Sequence, residues 1–226
     1  MTFSRAQLEQ HAAKERDRFE EMLKDFVEVP SISADPERKR DVEQVAELGA
    51  ATIRAFGGEA DIHRVPGGSP IVLGSFESGK GRPTVTVYNH LDVQPASKET
   101  EPWRSEPFVF TKEGDTYFGR GTTDDKGPAL TALFGARAAI DAGVPVNVKF
   151  LWETEEEIGS PHFAETLKKI GPAAATDAVV VSDTVWVSRG RPSLSAGLRG
   201  LQRITFHLET AETDQHSGTT GGAVRN

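Results

Sequence analysis

The sequence predicts an α/β protein with a mostly parallel central sheet flanked by helices, followed by the start of a smaller α+β domain. Segments rich in β-branched residues alternate with segments whose apolar residues recur at helical spacing, which is the pattern of strands joined by crossover helices. After Arg191-Pro192 the pattern changes, because residues 200–210 alternate apolar and polar side chains as in an antiparallel strand solvated on one face. We therefore predict a first domain at 1–197 and an incomplete second domain at 198–226.

Local patterns define the elements of the first domain. Apolar residues recur every three to four positions in 4–27 and 41–56, which predicts two helices. Pro30 ends the first helix and Gly57-Gly58 ends the second. The remaining predicted elements are, in chain order, strands at 60–65 and 71–76, a strand from Thr84 to His90, a hairpin at 108–118, a helix at 128–142, a strand at 146–152, a helix at 160–170 and a buried strand at 177–182.

Composition narrows the possible functions. The 226 residues carry a formal net charge of −8, which argues against binding to nucleic acid or to an anionic membrane surface. There is no cysteine, so disulfides, thiolate metal sites and cysteine nucleophiles are excluded. No apolar run approaches ~18 residues, and residues 1–18 are densely charged without the apolar centre of a signal peptide. We therefore expect a cytoplasmic protein with no nucleic-acid or membrane partner.

Acidic residues and one histidine lie just beyond the predicted strands. His90, the run 155–157 and Asp183 each follow a strand end, and Asp124-Asp125 lie in the glycine-rich loop 119–127 before a helix. Ligands of parallel sheets bind beyond the carboxyl ends of the strands. We therefore expect these side chains to converge at one edge of the sheet.

Such a set of imidazole and carboxylate donors, without cysteine, suits Zn²⁺, Mn²⁺ or Co²⁺. Carboxylates that converge without a cation repel one another, whereas two divalent ions about 3.5–4 Å apart would neutralise them. Taken separately, each motif also has a simpler interpretation. His90 and Asp92 could be a surface pair, 153–157 a solvated charge cluster, and Asp124-Asp125 a helix cap.

Two other classes of catalytic site are disfavoured. Gly119-Arg-Gly121 could indicate phosphate binding, but the chain has no GxxxxGK[ST] pattern, and Lys126-Gly127 is not followed by Ser or Thr. No GxSxG sequence is present, which argues against a Ser-His-Asp hydrolase. Metal-assisted chemistry is therefore the favoured hypothesis.

Four motifs together resemble those of the M20 metallopeptidases, co-catalytic zinc exopeptidases that include carnosinase-like dipeptidases, carboxypeptidase G2 and acyl-amino-acid deacylases. In chain order, the motifs are His90-Leu-Asp92-Val, Gly119-Arg-Gly-Thr-Thr-Asp124-Asp125-Lys-Gly, Glu156-Glu157-Ile-Gly-Ser and Ser182-Asp183. The resemblance covers almost the whole chain. Trp103, 105–108 and 197–200 are most similar to the carnosinase-like dipeptidase branch.

The resemblance implies a pair of divalent metal ions. Zn²⁺ is the expected metal, and Mn²⁺ and Co²⁺ are the alternatives. It implies that His90 and Asp183 hold the first ion, that Asp124 bridges both ions, and that Glu157 holds the second. It also implies a cis peptide bond between Asp124 and Asp125.

The resemblance also implies three catalytic residues. Asp92 would orient His90, and Glu156 would be the general base for a water that bridges the two metals. His216 would reach the partner subunit's site in a homodimer and stabilise the oxyanion.

The implied activity is hydrolysis of an amide bond in a dipeptide or small peptide. The alternative within the same chemistry is an N-acyl-amino-acid deacylase. A third hypothesis is a non-catalytic fragment, because the family's second-site histidine comes from a later segment than Asn226. On that hypothesis the chain is truncated at its C-terminus and binds one divalent ion tightly.

Overall fold

The computed structural model describes residues 4–184, 186–188, 190–191, 193–197, 200, 202 and 204–207. Within these residues, the helices and strands follow one another in the predicted order, and the α/β class is confirmed. The helices are α1 Arg5–Val27, α2 Lys39–Ala55, α3 Lys126–Asp141 and α4 Phe163–Ile170. The strands are β1 Glu59–His63, β2 Ile71–Phe76, β3 Thr84–His90, β4 Thr111–Glu113, β5 Thr116–Phe118, β6 Asn147–Glu153 and β7 Ala178–Val181.

The five-stranded sheet is mixed and has the order β1-β2-β6-β3-β7. β3 is parallel to both of its neighbours, β6 and β7, whereas β1–β2 and β2–β6 are antiparallel. The register places His90 opposite Glu153 and Tyr88 opposite Val181. The carboxyl ends of β3, β6 and β7 therefore meet at one edge of the sheet.

The apolar core lies where α1, α2 and α3 pack near the sheet. α2 contacts β1 and β2, α3 contacts β3 and β6, and α1 packs against α3. Trp152 and Phe150 of β6 are fully buried in this cluster with Ile53 of α2 and Leu130 of α3. Burial of each such side chain contributes roughly 1.5–3 kcal/mol, so the core fixes the strands that lead to the carboxyl edge.

The prediction of a buried strand at 177–182 is wrong. Val179, Val180 and Val181 of β7 are 60%, 45% and 51% exposed. β7 stands last in the strand order and has β3 as its neighbour on one side. The position of the strand, rather than its composition, sets this exposure.

Two helix starts differ from the sequence prediction. α3 begins at Lys126, so that Pro128 lies in the first turn, where its missing N–H leaves no helical bond unmade. α4 begins at Phe163 instead of residue 160, because Ser160 has a φ of 51°, which is not helical. The predicted second domain, 198–226, lies almost entirely outside the described residues. In the part of the chain that is described, no helix combines the length and the apolar character needed to cross a bilayer.

Candidate metal centre

His90 is fixed by the segment that follows β3. Its side chain is fully buried, and Nδ1 lies 3.0 Å from the backbone carbonyl oxygen of Asp92 and 3.4 Å from the Asp92 carboxylate. A carbonyl oxygen can only accept, so Nδ1 carries the hydrogen and donates it. This bond sets the ring angle and turns Nε2 towards the acidic residues of the edge.

Three carboxylates surround His90 Nε2. Asp124 Oδ1 lies at 2.9 Å, Asp183 Oδ2 at 3.7 Å and Glu156 Oε2 at 3.9 Å. His90, Asp124 and Asp183 can each offer a ligand atom, and these atoms all lie within 4.8 Å of one another. One imidazole and two carboxylates are a donor set that fits a divalent ion such as zinc.

Asp125 is fully buried behind the cluster. Its Oδ2 accepts hydrogen bonds from Asn89 Nδ2 at 2.8 Å and from the His90 backbone N–H at 3.1 Å. The expected cis peptide bond joins Asp124 to Asp125. The second aspartate of the pair therefore holds the end of β3, while the first contacts the imidazole.

The electrostatics of the cluster favour a cation. Burial alone would lower the pKa of His90, but its interaction with the Asp92 side chain and the nearby negative charges raise that pKa to about 10. Burial raises the pKa values of Asp183, Glu156 and Glu157. The site thus favours the protonated form of the imidazole and disfavours the ionised forms of the carboxyl groups. The positive charge of a bound divalent ion would offset both effects.

Glu157 stands apart from the three clustered donors. Its Oε2 accepts from Gln94 Nε2 at 2.8 Å, and the same Nε2 lies 3.0 Å from the Glu157 carbonyl oxygen. The structure therefore brings together His90, Asp124, Asp183 and Glu156, whereas the side chain of Glu157 is bonded to Gln94. His216 lies outside the described residues.

Sequence patterns missed how the acidic turn, Glu156–Ile158, which follows β6, is held. Both oxygens of the Asp92 carboxylate accept backbone hydrogen bonds from this turn, in addition to the predicted contact with His90. Glu155, part of the run that could have been a solvated cluster, is only 6% exposed. Its carboxylate accepts from Ser69 N at 2.9 Å and lies 3.1 Å from His162 Nδ1. The one sequence feature that could have indicated another role for Glu155 was the number of acidic residues in this region, which is larger than two metal ions need as ligands.

Comparisons with known proteins agree with the motifs at this edge. Residues 86–220 match the model of peptidase family M20/M25/M40. The Beta-Ala-His dipeptidase of Rattus norvegicus is 34% identical over 225 residues, which covers 92% of this chain and 46% of the relative. The Cys-Gly metallodipeptidase dug1 of Schizosaccharomyces pombe is 34% identical over 225 residues, which covers 93% of this chain and 47% of the relative. The chain thus spans about half the length of the curated relatives it matches.

Solved structures of two dipeptidases are also similar to this chain. Human carnosine dipeptidase 1 aligns with a TM-score of 0.70 at 30% identity, covering 79% of this chain and 41% of that chain. The dipeptidase Dug1p of Saccharomyces cerevisiae aligns with a TM-score of 0.73 at 27% identity, covering 95% of this chain and 48% of that chain. The mixed sheet and its helices therefore have the arrangement found in these dipeptidases.

Proposed function

Because this chain belongs to peptidase family M20/M25/M40, we propose that it acts in the metal-dependent hydrolysis of the amide bond of a dipeptide or small peptide. The observation that carries the proposal is the cluster of His90, Asp124 and Asp183, whose ligand atoms all lie within 4.8 Å of one another. The relatives named Beta-Ala-His and Cys-Gly dipeptidases support a dipeptide as substrate.

We propose that His90, Asp124 and Asp183 hold a divalent ion, with Zn²⁺ as the first choice and Mn²⁺ or Co²⁺ as alternatives. Glu157, with Asp124, is the proposed protein donor to a second ion. When bound, such ions polarise a carbonyl oxygen and lower the pKa of a bound water towards about 7.

The other proposed roles belong to side chains around the cluster. Glu156 lies 3.9 Å from His90 Nε2, partly exposed, where it can take a proton from an attacking water and pass it to the leaving amine. Asp92 keeps the imidazole in its orientation through Nδ1. We further propose that His216 stabilises the oxyanion in the partner subunit's site of a homodimer.

Metal analysis beside a hydrolysis assay tests this proposal. The purified protein is dialysed against metal-free buffer, its metal content is measured, and turnover of unblocked dipeptides and N-acyl amino acids is compared. His90→Ala should lose the bound ion and all turnover, while Asp17→Asn, an exposed change on α1, should leave both unchanged. Metal retained in His90→Ala at the wild-type level would contradict the assignment of the site.

The substrate comparison separates the two chemistries. Turnover of unblocked dipeptides supports a dipeptidase, whereas turnover restricted to N-acyl amino acids would replace it with a deacylase. A cytoplasmic location and the homodimer stay predictions from the sequence, to be checked by fractionation and by light scattering.

A further inference from the structure

A buried carboxyl group that the proposed reaction does not use lies behind the acidic turn. Glu153, the last residue of β6, is 2% exposed. Its Oε1 accepts a hydrogen bond from the Tyr88 hydroxyl at 2.5 Å and another from Ser160 Oγ at 3.0 Å. One oxygen atom thus joins β3, through Tyr88, to Ser160, which follows the acidic turn.

The acidic turn, Glu156–Ile158, is held at both of its ends. At the start, the Asp92 carboxylate accepts from the backbone N–H groups of Glu156 and Glu157 at 3.2 and 3.1 Å. At the end, the Ser160 N–H donates to the Glu155 carbonyl oxygen at 2.8 Å, and its hydroxyl donates to Glu153. The turn therefore depends on two buried carboxyl groups, one on each side.

Ser160 needs such support because of its backbone conformation. With a φ of 51°, it is the one non-glycine residue of the described chain with a positive φ, and it follows Gly159 at 88°. Glycine adopts this region freely, but a serine persists there only where its surroundings hold it. Its hydroxyl bond to Glu153 is one of three hydrogen bonds that hold it; its N–H donates to the Glu155 carbonyl oxygen, and its own carbonyl oxygen accepts from Phe163 N.

We propose that Glu153 is a positioning residue that acts through Ser160 to fix the acidic turn, and with it the Glu156 carboxylate relative to His90. The inference rests on the proposed function, in which Glu156 is the general base. Both bonded partners of the Glu153 side chain are hydroxyl donors, and no Lys, Arg or His among the described side chains forms an ion pair with it. The network thus requires an acceptor oxygen at this position, rather than a negative charge.

This requirement predicts opposite outcomes for two substitutions of similar size. Glu153→Gln keeps an acceptor oxygen and should retain kcat within about threefold, although its NH₂ group replaces an oxygen without a partner and should lower the stability of the fold. Glu153→Leu removes the acceptor and should lower kcat ~10-fold or more through misplacement of the base. KM should stay within about twofold, and the ion held by His90, Asp124 and Asp183 should be retained, because these three residues are untouched. Only the second ion, whose proposed donor Glu157 lies in the turn, should bind more weakly. Ser160→Ala should also lower kcat, and the double variant should lose no more than Glu153→Leu alone, since Glu153→Leu already removes the bond to Ser160.

Amide hydrogen exchange gives a second readout that does not depend on activity. The amides of 156–160 should exchange faster in Glu153→Leu and Ser160→Ala, but not in Glu153→Gln or in Glu165→Leu, an exposed change on α4. Wild-type kcat together with wild-type exchange of these amides in Glu153→Leu would overturn the inference. If Glu153→Leu does not fold, wild-type kcat together with wild-type amide exchange in Ser160→Ala would overturn the inference.

The two proposals fail in different ways. A wild-type protein without turnover would contradict the proposed function alone, and the exchange of 156–160 would then decide the role of Glu153. Turnover in the wild type that Glu153→Leu and Ser160→Ala leave unchanged would contradict only the positioning role.

Discussion

The Glu156 backbone N–H donates a hydrogen bond to Asp92 Oδ1 at 3.2 Å, so the proposed base is tied to the residue that orients His90. The next residue, Glu157, donates its N–H to Asp92 Oδ2 at 3.1 Å. The same carboxylate lies 3.4 Å from His90 Nδ1. One fully buried aspartate therefore holds two parts of the site that are far apart in the chain.

Asp92→Asn should weaken both the orientation of His90 and the attachment of the Glu156 and Glu157 backbone. The amide can accept only one of the two backbone bonds, and its NH₂ group faces the other N–H donor. We expect a ~10–100-fold loss of metal affinity, as for other residues that orient a metal-binding histidine. The free energy of unfolding should fall by about 1–3 kcal/mol because a buried donor is left unpaired. Titration with a competing chelator and denaturant unfolding measure the two effects; wild-type metal affinity in this variant would show that the backbone carbonyl of Asp92, and not its carboxylate, orients His90.

Glu156→Gln should lower kcat by ~10²–10⁴ while metal content stays at the wild-type level, because only the proton acceptor is lost. The assay uses steady-state kinetics and metal analysis on the same sample. Glu165→Gln, an exposed position on α4, is the matched control. Glu155 is unsuitable as a neutral control, because its buried carboxylate accepts a hydrogen bond from Ser69 N. Loss of metal from Glu156→Gln would instead make Glu156 a ligand.

Gly127→Ala should destabilise the protein severely. A Cβ added there would meet the Thr122 carbonyl oxygen at 2.0 Å, and this backbone atom belongs to the loop that carries Asp124. We expect a loss of more than about 3 kcal/mol in the free energy of unfolding, as for the most disruptive core changes. Denaturant unfolding measures it.

Gly135→Ala, in the same helix, is the control with the opposite sign. Nothing lies within 4 Å of its added Cβ, so alanine should stabilise α3 by about 0.5–1 kcal/mol. Equal effects at the two glycines would show that the close approach at Gly127 is absent in solution.

Part of the loss in the free energy of unfolding at acid pH should come from Glu20. Hydrogen bonds from Lys112 Nζ and from the Tyr117 hydroxyl lower the pKa of this carboxyl. A carboxyl whose pKa is lower in the folded state stabilises the fold above its unfolded pKa, about 4.3, and loses that contribution as the pH falls through the folded value. Glu20→Gln should therefore cost about 1 kcal/mol at pH 7 and progressively less on acidification. Unfolding curves of both proteins between neutral and acid pH test this; a difference that does not shrink would contradict it.

The sequence allowed prediction of what depends on local pattern and on strand direction. Apolar spacing located α1 and α2 within two residues at each end. The rule that ligands gather at the carboxyl ends of parallel strands predicted the approach of His90 and Asp183.

The features that were not predicted depend on packing between distant segments. Gln94 reaches Glu157, and Ser69 reaches Glu155, across 63 and 86 residues of sequence. No local pattern encodes such pairings. Likewise, the valines of β7 have the composition of a buried strand, but the strand order decides their exposure.

Because β3 and β6 are parallel, both strands begin at one end of the sheet and finish at the other. The two ends differ in how well they tolerate inserted residues. Since side chains alternate between faces, one residue inserted within β3 or β6 would send the following donor to the opposite face. The exposed loop at 79–83 lies at the far edge, before β3 begins, and extra residues there leave the register of His90 with Glu153 intact. Loop closure adds only about 0.6 kcal/mol for each doubling of length. An epitope, a fluorophore site or new chain termini could therefore be engineered at 79–83, in a protein whose opposite edge tolerates no change in strand length.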